Sequence, residues 1–324
     1  MNNRANKMYA GLIISSLTVS SLYADNVIKG APYWSTPTRG VNLESKKTAK
    51  DNDESLLGIV GSSLRYSKMQ IDDKFNAPDW FPNQHDKMPM IVKSGKAPKV
   101  WACASCHLAS GSGHPESARL AGLDSLYLQS QMKAFTDGSR LDYSGHMNRM
   151  SKALSTAEIK EVSDWFSTLT PQKVTKVVET DQVLKTYVDE TRMRRVAKPY
   201  VMEAMGNRII EIPDNLAEVK KRHPDSTFIS YVPIGSIDRG RNLVTTGGGK
   251  TIACTGCHGT DLNGSSIGPA IRGSFASYTV RQLYGFKANS RKGEQAAMMQ
   301  TVVNGLTDKD IIDISAYLTS LPVN

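Results

Sequence analysis

Two five-residue stretches, C-A-S-C-H at Cys103 to His107 and C-T-G-C-H at Cys254 to His258, use every cysteine in the chain. A Cys-x-x-Cys pair lets one short turn offer both sulfurs to the vinyl groups of a single haem, giving two thioethers. The histidine directly behind is then carried beneath the ring as proximal ligand to the iron. A zinc knuckle would leave that histidine without a task, and a thioredoxin-like dithiol calls for a βαβ setting that the pattern lacks. Cys103, Cys106, Cys254 and Cys257 are therefore expected to attach two c-type haems, with His107 and His258 as iron ligands.

The repeat is longer than the motif. Both cysteines and the histidine recur at an offset of 151, and so do Tyr127/Tyr278, Gln131/Gln282, Phe135/Phe286 and Arg140/Arg291. Tyr127, Leu128, Met132 and Phe135 share one helical face, so a helix is expected to pack on each haem, its aromatic residues serving as core. Each unit closes with a second helix. Ser155 and Glu158 form a capping box ahead of Ile159, Val162 and Phe166; Thr307 caps the equivalent run carrying Ile311, Ile314, Leu318 and Leu321. Leu154 and Leu306 stand 152 apart, one residue having been gained between.

A methionine loop precedes each closing helix, with Met147 seven residues before Leu154 and Met299 seven before Leu306. A thioether is a soft, neutral donor that favours ferrous iron, so Met147 and Met299 are the expected sixth ligands. His146 competes in the first unit, and Met150 and Met298 lie close enough to substitute. The competing role for all of these methionines is to fill gaps in the core. His85, His114 and His223 are expected at the surface or behind the ligands.

The first 24 residues pair a basic start, Arg4 and Lys7, with a short serine-rich apolar run ending at Leu22-Tyr23-Ala24. This reads as a secretory signal peptide, an uncleaved anchor being the rival, and no cysteine follows to take a lipid. Its removal leaves 38 Lys+Arg against 31 Asp+Glu, a basic surface suited to acidic partners. No basic stripe interleaved with aromatics points to nucleic acid. Membrane contact is expected only through partner complexes or an uncleaved anchor.

With these motifs in place the chain resembles the class I cytochromes c, in particular the soluble two-domain dihaem cytochromes of the c-four kind. The likeness rests on CASCH, LAGLDSLYLQSQMKAF and Met147, and on CTGCH, GPAIRG, YTVRQLYGF and Met299. It implies an all-α fold of two tandem domains, residues 86–170 and 237–324, each a bundle of short helices around one haem. It also implies a bacterial periplasmic shuttle for electrons. By the same likeness the Pro269 carbonyl accepts a hydrogen bond from His258, with Ala118 at the equivalent place in the first domain, so that the two haems differ in potential. Two segments depart from the family. Residues 25–85 form a mostly irregular, polar extension. Residues 171–236 form a long connection in which NRIIEIP and TFISYVP suit a small β-hairpin, expected to cover a haem edge or to carry a docking surface.

The expected function is that of a periplasmic electron carrier with two His/Met haems, not an enzyme. One alternative is a dihaem peroxidase with one open iron; another is the cytochrome subunit of a periplasmic dehydrogenase. A dihaem enzyme that needs a cysteine as iron ligand is excluded, because both attachment motifs have used all four.

Overall fold

The structure is a computed structural model that describes residues 28–36, 55–189 and 191–323. The expected signal peptide lies outside these residues. After a strand pair, β1 (Leu56–Leu57) and β2 (Tyr66–Ser67), come the short helices α1 (Lys68–Asp72), α2 (Met90–Ser94) and α3 (Ala104–His107). The first helical unit is completed by α4 (Ser125–Asp137), α5 (His146–Ser151) and α6 (Thr156–Thr168). The Asp124 side chain accepts from Tyr127 N at the start of α4, and α6 begins at the Ser155/Glu158 capping box. Each satisfies backbone donors that a helix start otherwise leaves orphaned. Val92, Val100, Leu128, Val162 and Phe166 form the core between these helices.

The connection is richer in β-structure than a hairpin. It carries β3 (Thr175–Glu179), β4 (Gln182–Leu184), β5 (Thr186–Val188), β6 (Arg194–Val196), β7 (Met202–Ala204), β8 (Ile210–Pro213), α7 (Leu216–Lys220) and β9 (Phe228–Val232). β8 and β9 do pair antiparallel, Ile210 opposite Tyr231, but β9 is the centre of a three-stranded sheet whose other edge is β3, running parallel. β4 pairs with β7 and β5 with β6. This corrects the all-α reading. Three-residue strands are too short for a period-two pattern to register, and the β3–β9 partnership joins residues more than fifty positions apart.

The second helical unit comprises α8 (Ser236–Thr246), α9 (Thr255–His258), α10 (Ala276–Lys287), α11 (Ala297–Asn304) and α12 (Asp308–Ser320). Helices α8 and α12 meet at Gly240, where an added Cβ would lie 2.0 Å from the Asp313 carbonyl oxygen, so only glycine permits the contact. The Thr307/Asp310 capping box starts α12. Val244, Val280, Val303 and Ile311 fill this core, and the extension contributes Ile28, Ala31 and Trp34 to it. That part of the extension is thus core rather than irregular covering. Apolar residues in a polar stretch only reveal their use once a second element lies against them.

Helix α10 has no capping side chain of its own and no acid in its first turn. Its start is satisfied from the connection. The buried carboxylate of Glu211, on β8, accepts from Ala276 N and Ser277 N, both at 2.8 Å, and from the hydroxyl of Ser230 at 2.7 Å. A negative charge at a helix start is favoured by the helix dipole, and here it also ties the sheet to the second unit.

Candidate functional site

Each attachment motif folds as a single helical turn, α3 or α9, with its first cysteine as N-cap. His107 and His258 end these turns and are both buried. Their Nδ1 atoms donate to carbonyls eleven residues on, Ala118 at 2.8 Å and Pro269 at 2.7 Å. The second hydrogen bond was expected from the family resemblance, and the first has the same geometry without proline. In each ring this leaves Nε2 as the free nitrogen, the lone pair a metal would take. Burial drives His107 down to about 4 and lowers His258 as well, so both imidazoles are neutral donors near neutral pH. Gly268 crowds the His258 ring, since a Cβ there would stand 2.9 Å from Nδ1.

The cysteines are not poised nucleophiles. Burial pushes the Cys103 thiol up to about 12 and that of Cys254 to about 11. Among the described residues no three His, Cys, Asp or Glu side chains converge on one point.

A cavity of about 1330 Å³ opens beside the first motif. It brings Cys106 and His107 together with Met147, His146 and Met150 across an apolar lining that includes Leu128, Phe135 and Phe166. His146 stands edge-on to Trp101 with ring centroids 4.7 Å apart, and Met150 packs against the core. In the second unit the neighbours separate: Met299 packs against the core, while Met298 is 57% exposed. His114 and His223 also line the cavity.

Both departing segments wall this cavity. Ile71 and Lys74 come from the extension, and Arg192, Arg195, Lys221 and Arg222 from the connection. Residues of the connection thus line the first site.

The cavity reaches the seam between the two helical units, where a reciprocal network lies. Arg140 donates to Gln131 Oε1 and Gln282 Oε1, both at 2.7 Å, and to the Tyr278 hydroxyl at 3.2 Å. Arg291 mirrors it, donating to Gln131 Oε1 at 2.8 Å, Tyr127 at 3.0 Å and Gln282 Oε1 at 3.2 Å. Leu141 N to Ser290 O, 2.7 Å, and Lys292 N to Ser139 O, 2.8 Å, bind the same seam. Tyr127 and Tyr278, expected as core, are therefore partners in an inter-unit contact. The shared offset of Tyr, Gln and Arg was the signal for it.

Burial, and then the neighbouring Arg140, pull Arg291 below its ordinary value. Among the described residues neither guanidinium has an ion-pair partner, only amide and phenol oxygens. One buried and one half-buried cation, Arg140 and Arg291, facing one cavity call for anionic groups on whatever fills it. A flat apolar ring with carboxylates, two thioether arms and a central metal satisfies all of these walls, so the residues present fit a haem.

Comparison with known proteins agrees. The cytochrome c family profile matches residues 237–322. The cytochrome c-554(548) of Halomonas halodenitrificans is 40% identical over 72 residues, 22% of this chain and 87% of that protein. The thiosulfate dehydrogenase electron acceptor of Thiomonas intermedia is 26% identical over 230 residues, 70% of this chain and 82% of that one. The cytochrome c4 of Azotobacter vinelandii is 31% identical over 140 residues, 38% of this chain and 66% of that one. Among solved structures, thiosulfate dehydrogenase from Marichromatium purpuratum superposes with a TM-score of 0.50 at 24% identity, a likeness of fold. It covers 72% of this chain, which spans only 39% of that one.

Proposed function

This chain belongs to the cytochrome c family, as a dihaem electron-transfer cytochrome of the c4 type, and we propose that it works in the periplasm with both irons held by histidine and methionine. Covalently bound c-type haem supplies reversible one-electron exchange at iron. Cys103, Cys106, His107 and Met147 would hold the first, and Cys254, Cys257, His258 and Met299 the second. The observation that carries this reading is the matched pair of buried histidines, each donating from Nδ1 to a backbone carbonyl at 2.8 or 2.7 Å. That bond fixes the ring, selects the tautomer with a free Nε2 and raises its basicity. Burial keeps each ring neutral, so no proton competes for the ligand position near neutral pH. A methionine thioether offered to each iron beside its histidine would leave no open ligand position, which suits a carrier better than a peroxidase.

The periplasmic assignment rests on the leader-like first 24 residues. Among the described residues no helix is long and apolar enough to cross a membrane. The likeness to an electron acceptor of thiosulfate dehydrogenase over 230 residues favours a dehydrogenase as electron donor, docked through the basic surface. Co-purification with such a donor tests that partnership.

The test of ligation is an optical spectrum of the purified protein, ferric and ferrous, with haem counted as the pyridine haemochrome. The expected result is the weak far-red band of ferric His/Met haem at an intensity matching two haems per chain, and its loss by half in Met147→Ala. A high-spin signal that binds cyanide or peroxide in the parent protein would overturn it.

A further inference from the structure

The two attachment turns sit in different surroundings. In the second, Gly256 at the centre of the turn is exposed, and Ile252 and Ile267 nearby are 56% and 63% exposed. In the first, the equivalent residue is Ser105, 4% exposed, and its carbonyl oxygen accepts a hydrogen bond from Nη1 of Arg222. Arg222 belongs to the connection, two residues past α7, with its backbone in the left-handed region at φ 58°. It lines the cavity together with Cys106 and His107.

Its placement is held from both departing segments. The indole Nε1 of Trp80, in the extension, donates to the Lys221 carbonyl at 2.9 Å. Lys221 Nζ donates back to the Gly58 carbonyl at 3.0 Å and pairs with Glu218 at 2.6 Å. Arg222 itself has no carboxylate at ion-pair distance among the described residues; Asp72, exposed on α1, lines the same cavity. A half-buried charge with no carboxylate at ion-pair distance among the described residues thus rests on one attachment turn and not on the other.

We propose that Arg222 is a positioning residue for electron transfer, its fixed charge making the first haem the easier of the two to reduce. The inference rests on the dihaem His/Met reading above. Ferric iron carries one positive charge more than ferrous, so a cation held in a poorly solvated wall disfavours the ferric state. With haem held at both motifs, the one at Cys254, Cys257 and His258 would be the one-electron donor and the one at Cys103, Cys106 and His107 the acceptor, with no bond made and no proton moved.

The test is a spectroelectrochemical titration of the full-length holoprotein and its variants, following both haems. Arg222→Gln is expected to lower the higher midpoint alone, cutting ferrous occupancy of the first haem relative to the second about tenfold, which is 59 mV for a one-electron couple. Arg222→Lys, which keeps the charge, is expected to recover at least half of that. Asp72→Asn removes the opposing charge at an exposed site and is expected to raise the same midpoint about twofold in occupancy. If Arg222→Gln moves neither midpoint or only the lower, or if lysine fails as badly as glutamine, the proposal is overturned. Should Arg222→Gln not take up its first haem, Asp72→Asn decides alone, and an unmoved midpoint refutes the assignment. A parent protein with one haem or high-spin iron would instead refute the carrier reading, visible before any midpoint is measured.

Discussion

Substituting Glu211 probes whether the connection is a structural part of the second haem unit or a cover laid over the first. Its carboxylate supplies the start of α10 with acceptors for two backbone N–H groups at 2.8 Å, and nothing within the helix replaces them. A hydrogen bond to a charged group contributes about 1.5–3 kcal/mol, and losing the acceptor leaves buried donors unsatisfied. Glu211→Ala is therefore expected to destabilise by about 4 kcal/mol. Glu211→Gln keeps one acceptor oxygen and the side-chain shape but loses the charge, so about 2 kcal/mol is expected. For a chain of this size each kcal/mol lowers the melting temperature by roughly 2–3 °C, giving a fall of about 10 °C for alanine and about 5 °C for glutamine. Denaturant and thermal unfolding, followed by far-ultraviolet circular dichroism and Soret absorbance together, measure both. Limited proteolysis supplies a local readout, since a sheet released from α10 is expected to be cut faster within residues 171–236. An alanine variant within 1 kcal/mol of the parent, or a glutamine variant no better than alanine, would refute the reasoning.

The remaining predictions concern the seam between the two helical units and the cap of α6. Arg140→Met and Arg291→Met share Gln131 and Gln282 as acceptors, so their effects on stability are expected to be non-additive, with a coupling of about 0.5–3 kcal/mol in a double-mutant cycle; strict additivity would show that the network is not one unit. The Ser155 backbone N–H and then Lys96 hold the Glu158 carboxyl down at about 2, so its stabilisation is full above the unfolded-state value of about 4.3 and is lost as pH falls towards 2. Because the cap is at the surface, Glu158→Gln is expected to lose only about 0.5–1 kcal/mol at pH 7 and nothing at pH 2, and a deficit that persists unchanged in acid would contradict the assignment.

Much of the candidate site was legible in the chain because covalent attachment imposes spacing. Cys103, Cys106 and His107 must follow one another for a single turn to meet one ring, and their recurrence at Cys254, Cys257 and His258 declared a duplicated unit. Periodicity and the repeat placed α4 and α10, and capping chemistry placed α6 and α12, whose signals are local and so are written locally. The connection resisted such reading. Its strands are short, and β3 finds its parallel partner β9 only through a crossover of some fifty residues, so no nearby pattern marks the pairing.

What sequence alone determined here is therefore the chemistry and the helical repeat, since both follow from residues within a few positions of each other. Tertiary structure decided the rest. It chose Glu211 to cap a helix 65 residues away, set Arg222 on the Ser105 carbonyl, and turned the repeated Tyr, Gln and Arg into a shared seam. Each is a polar group removed from water, whose partner is dictated by which surfaces come together on folding and not by which residues are neighbours in the chain.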